Sequence, residues 1–91
     1  MNWPLSCDDL ISQLERHHTP PETIRLLRAW RWMEGNDPAD VEGMLEWLWR
    51  QHPSYEGTIR QAYAVLVNVS AAKLASESVE RLKAKIAAGS A

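Results

Sequence analysis

His17-His18-Thr19-Pro20-Pro21-Glu22-Thr23-Ile24 reads as a boundary between two helices. Thr19 has N-cap chemistry: its hydroxyl can accept a hydrogen bond from a free amide of the first turn. Pro20 suits the first helical position, where a missing N–H costs nothing. Glu22, three residues after Thr19, completes the spacing of a capping box. The prolines also stop the preceding segment, because the residue before a proline is driven out of the α region. The adjacent histidines then fall in the last turn of a first helix, where the helix dipole favours them.

The same grammar recurs along the chain. Ser6 with Asp9 forms a second capping box, and Leu5 with Leu10 has hydrophobic-staple spacing. Gly35 supplies a stop, and Asp37 followed by Pro38 supplies a new cap and first helical residue. His52-Pro53-Ser54 gives a further stop and start. These signals predict helices near 7–17, 20–34, 38–51 and 54–69. The run Ala64-Val65-Leu66-Val67-Asn68-Val69 could suit a strand, but it continues a helical pattern without interruption.

Each predicted helix carries an apolar stripe at i, i+3, i+4, i+7 spacing. The stripes are Cys7, Leu10, Ile11 and Leu14; Leu26, Leu27, Trp30 and Met33; Val41, Met44, Leu45 and Leu48; and Tyr55, Ile59, Ala62, Tyr63, Leu66 and Val69. Past Val69 the phase fails, since Lys73 and Glu77 would land in the apolar face. A kink or break is therefore expected between 68 and 72. Beyond it Ala75, Val79, Leu82 and Ile86 define a new face, either on one bent helix from Ser54 to Ala87 or on a separate helix capped by Ser76 or Ser78. The expected fold class is all-α, a compact bundle of four to five short helices. One domain spans 1–91, with 87–91 fraying.

Composition narrows the function. Ninety-one residues bury a modest core, and 45% hydrophobic with 24% charged residues is ordinary for a globular domain. A net charge of −2 and a pI of about 5.9 exert no general pull on nucleic acid or anionic membrane. The lone Cys7 cannot form an internal disulfide and suits a reducing compartment. The opening MNWPLSCDDL lacks the pattern of a signal peptide, and no apolar run nears the roughly 20 residues of a membrane span. The expectation is a cytoplasmic protein. Asn68-Val69-Ser70 matches a glycosylation acceptor, read here as chance.

Several residues invite chemistry. Cys7, Asp8, Asp9, His17, His18 and His52 could supply metal ligands, yet their spacing fits no zinc finger or HExxH pattern. Cys7 near a helix start has a position that favours thiolate, but no orienting partner constellation accompanies it. Asp8, Asp9, Asp37, Asp40 and Glu42 are accounted for by helix N-termini. All four glycines occur singly, so there is no phosphate-cradling loop. No metal, cofactor, small-molecule substrate or catalytic residue is expected.

The aromatic content is lopsided: five Trp, two Tyr and no Phe. Tryptophan is both a large core filler and the residue most enriched at interface hot spots. Arg25, Arg28 and Trp32 lie within about 60° of one another on the helical wheel, with Arg31 nearby, away from the Leu26–Met33 face. Such a face either stacks on bases or anchors a partner, or is a solvated basic face with Trp32 tucked beneath a neighbouring helix. Trp47 and Trp49 flank the stripe of the third helix on opposite sides, so that helix must meet more than one neighbour.

Residues 25–53 resemble a tetratricopeptide hairpin: two helices, Gly35 and Asn36 between them, and Pro53 after the second. Ala29, Trp32, Val41, Leu45 and Leu48 fall near positions where that repeat places aromatic or small apolar residues. There is one such unit rather than three. A helix-turn-helix is a second analogy, with 20–34 as recognition helix carrying Arg25, Arg28 and Arg31.

The expected function is a non-enzymatic protein–protein interaction module, an adaptor, assembly factor, chaperone-like subunit or inhibitor. It would bind a larger protein, or itself as a homodimer, through Trp32, Trp47 and Trp49, with Arg25, Arg28 and Arg31 at the rim. The alternative is a DNA-binding regulator using 20–34.

Overall fold

The computed structural model describes residues 3–67 and 72–89. Among these the chain is all-α: α1 (Cys7–Arg16), α2 (Pro21–Trp32), α3 (Val41–Gln51), a single 3-10 turn (Pro53–Tyr55), α4 (Glu56–Val67) and α5 (Ala72–Gly89). The expected break falls on 68–71, outside the described residues, as do Val69 of the fourth expected stripe and the Asn68 acceptor pattern. The helices on either side are separate elements. Because α5 begins at Ala72, Ser76 and Ser78 lie inside it and neither caps it. The helix runs to Gly89, three residues into the stretch expected to fray.

The corner 17–24 is two caps back to back. His17 ends α1, and His18 adopts the left-handed conformation at φ 64°. The His18 amide donates to Glu15 O at 3.2 Å, and the Thr19 amide donates to Leu14 O at 3.1 Å. These are the paired bonds of a Schellman motif, with histidine in the place that glycine usually takes. Thr19 therefore completes α1 and does not cap α2. With Thr19 engaged, Pro20 becomes the extended N-cap residue, Pro21 takes the first helical position, and the amides of Thr23 and Ile24 donate to Pro20 O.

The start of α3 also moves. Asp37 and Pro38 begin a turn rather than the helix: the Asp37 carboxylate accepts from the Ala39 amide at 2.8 Å, and Asp37 O accepts from the Asp40 amide. Asp40, three residues on, is the cap, accepting from the Gly43 amide at 3.0 Å. The Pro38 carbonyl turns outward to accept the Cys7 amide at 2.9 Å. That bond satisfies an orphan donor of α1 and ties the first helix to this turn. The Ser6–Asp9 capping box on α1 forms as read from spacing.

The four stripe residues of α1 are buried, as are those of α3. In α2 the core face is Thr23, Ile24, Leu27 and Trp30, rotated from the expected one. Leu26 is only half-buried, and Met33, expected in the core, is exposed. The reason is local: α2 ends at Trp32 and the chain turns through Gly35 at φ 88°, so Met33 leaves the helical wheel. The Asn36 side chain donates to Trp30 O at 2.9 Å and closes the helix end.

Helices α4 and α5 form an antiparallel pair, as Arg60 meets Glu80 and Glu56 meets Lys83. Ile59, Ala62, Tyr63 and Leu66 of α4 and Ala75, Val79 and Leu82 of α5 are buried, while Tyr55 and Ile86 pack at the core's edge. Each fully buried Leu or Ile contributes about 1.5–3 kcal/mol relative to exposure, which makes this shared core the dominant stabilising term.

Candidate functional site

The tryptophans divide sharply. Trp30 and Trp49 are buried, Trp3 and Trp47 are partly buried against the core, and Trp32 is 78% exposed. Trp3 packs edge-on to Tyr63, ring centroids 5.8 Å apart at 62°. Trp49, expected to face a partner, is held inward instead: its indole N–H donates to Pro53 O at 3.3 Å. The 3-10 turn folds back over the end of α3 and supplies that acceptor.

Trp32 stands at the C-terminal end of α2 with exposed Met33 beside it. The Arg31 guanidinium lies over the Trp32 ring, 5.5 Å from its centroid, within cation–π range. Arg31 Nε is also 3.2 Å from the Asp8 carboxylate of α1. One turn earlier, Arg28 pairs with Glu15 of α1 at 3.0 Å. Arg25 is exposed at the other end of the stripe, lining a shallow cleft of about 400 Å³ with Ile24, Arg28 and His18. The exposed residues Arg25, Arg28 and Trp32 thus share one face, with two of the three arginines docked on acids of α1. Trp47 sits apart on α3, half-buried.

The residues considered for chemistry do not converge. Among the described residues no group of three or more His, Cys, Asp or Glu is placed to hold a metal ion. Cys7 is fully buried; burial first, and Asp40 second, raises its pKa to about 11. The thiolate expected of a helix-start cysteine is therefore suppressed. His52 stacks on Tyr55 at 4.9 Å and caps α3, while His17 and His18 form the Schellman turn.

Two surface features escape a reading of spacing. Met33 joins Trp32 only because the helix stops between them. A groove bounded by Trp49, Arg50, Pro53, Glu56, Lys83, Ile86 and Ala87 depends on how α5 lies across α3, which no local signal encodes.

No protein family model, curated protein or solved structure matches this chain. The tetratricopeptide resemblance stops at hairpin geometry: Ala29 and Trp32, which that repeat would pack, are both exposed. Among the described residues no helix is long and apolar enough to cross a membrane.

Proposed function

We propose that the protein is a small non-enzymatic binding module that docks a larger protein, or a second copy of itself, through Trp32 and Met33. Such a module would serve as an adaptor, assembly factor, chaperone-like subunit or inhibitor in the cytoplasm. The observation that carries the reading is the 78% exposure of Trp32 beside exposed Met33. Trp and Arg are the residues most enriched where interfaces concentrate their binding energy. Arg31, held between Asp8 and the indole, reduces the ordering cost of association. Arg28 and Arg25 supply a polar rim, and Trp47 is a secondary contact; buried Trp49 leaves the set.

The DNA-binding reading gains no support from Arg28 and Arg31, whose charges are met by Glu15 and Asp8. The test is sedimentation over a concentration series, then capture of partners from native extract, for the parent and Trp32→Ala. The expected result is association that weakens at least tenfold in Trp32→Ala with helicity unchanged. Equal association by both proteins would sink the reading.

A further inference from the structure

The last turn of α3, the 3-10 turn and the C-terminal half of α5 border an open groove of about 440 Å³. That lies within the roughly 300–1,000 Å³ of small-molecule sites. Trp49, Pro53, Ile86 and Ala87 give it an apolar lining, and Arg50, Glu56 and Lys83 stand at its rim. Trp49 is buried, so only an edge of its indole meets the groove, and its N–H is already used by Pro53 O.

Among the described residues the rim is short of negative charge, in a chain whose net charge is −2. Glu46 is shared between Arg50 at 3.4 Å and Lys85 at 3.0 Å. Glu56 is shared between Arg60 at 3.0 Å and Lys83 at 3.5 Å. Arg60 has a second acid, Glu80, at 3.4 Å. Arg50 lies close to Gly89, at the C-terminal end of α5, where the helix dipole meets part of its charge. Lys83 has neither help: its one partner among the described residues is Glu56 Oε1, at 3.5 Å, on a carboxylate whose other oxygen Arg60 holds at 3.0 Å.

We propose that this groove binds a small, mostly apolar monoanion, an aryl or branched aliphatic carboxylate. Its body lies against Trp49, Pro53 and Ile86, and its carboxylate sits on Lys83. The apolar lining drives entry by removing hydrocarbon from water, and the lysine selects the sign of the charged end. This inference is independent of the Trp32 surface, and Trp32→Ala leaves it unchanged.

The test uses naphthalene-2-carboxylate, with 2-naphthylmethylamine matching its shape at opposite charge and acetate lacking its body. Binding is followed by calorimetry and by backbone amide shifts. The acid is expected to bind at least tenfold more tightly than the amine, to shift amides of α3 and α5, and to outcompete acetate entirely. Lys83→Glu is expected to lower acid affinity at least tenfold, and Ala87→Leu to lower affinity for both naphthyl probes. Both positions are exposed, so circular dichroism should match the parent. Equal affinity for acid and amine, no binding of either, shifts confined to α2, or a Lys83→Glu variant that binds the acid as well as the parent would each overturn the proposal.

Discussion

The Tyr63 hydroxyl donates to Glu42 Oε1 at 3.1 Å, and Arg81 reaches the same oxygen at 3.0 Å. Glu42 therefore joins three helices, α3, α4 and α5, at one carboxylate. Tyr63 is fully buried, so its hydroxyl needs that acceptor. Tyr63→Phe removes the donor and keeps the ring against Trp3. It is expected to cost about 1–2 kcal/mol in urea unfolding, with the m-value unchanged. A variant as stable as the parent would show that Arg81 alone satisfies Glu42.

Stability should fall on the alkaline side, through two overlapping contributions. Burial and the Asp40 charge raise the Cys7 pKa from 9.0 to about 11. Burial and Glu42 raise that of Tyr63 as well. In both cases the protonated form is favoured by folding, so the contribution is present below the unfolded pKa and is lost as pH rises through the folded one. The Cys7 share disappears between about 9 and about 11 and amounts to about 2–3 kcal/mol at most. Cys7→Ala is expected to flatten the pH dependence of unfolding between about 9 and about 11, and Tyr63→Phe to flatten it from the ordinary tyrosine value of 10.0 upward, past the end of the Cys7 window.

His18 holds a left-handed backbone that costs a non-glycine residue about 1 kcal/mol. His18→Gly is expected to raise stability by up to about 1 kcal/mol, a melting shift of about 4–8 °C at this chain length. His18→Val, branched at Cβ, is expected to lower it. A glycine variant that melts below the parent would mean that the imidazole makes a stabilising contact worth more than the strain.

Trp49 and Trp32 should behave oppositely. Trp49→Ala empties core volume and leaves Pro53 O without its donor, and is expected to cost about 3–5 kcal/mol in thermal or urea unfolding. Trp32→Ala is expected to stay within about 0.5 kcal/mol of the parent. Acrylamide quenching should fall markedly in the Trp32 variant, since the other four indoles are buried or partly covered.

Much of this architecture was legible in the residue order, and the exceptions have physical causes. In α1 the Ser6–Asp9 box fixes the helical phase, so its four core residues follow directly. The face Ala75, Val79, Leu82 and Ile86 was readable because helical phase survives without knowledge of the start. Cap assignment failed where two residues had equal claims. Thr19 could finish one helix or begin the next, and Asp37 and Asp40 both have cap chemistry. Only the three-dimensional course of the chain chooses between them. The candidate surface divides the same way. The polar face bearing Trp32 was visible on a wheel, whereas the inward fate of Trp49 depends on a 3-10 turn folding back on it. The groove beside it needs α5, which is more than twenty residues away along the chain.

The amide bond from Cys7 to the Pro38 carbonyl places the protein's single sulfhydryl behind a latch that closes a long loop of chain. The sulfur itself is fully buried in the core, so alkylating reagents reach it only when the packing around the first helix opens. The rate of thiol labelling in native buffer is therefore a clock for how often the first helix lifts away from its neighbours, and it runs without any engineered probe.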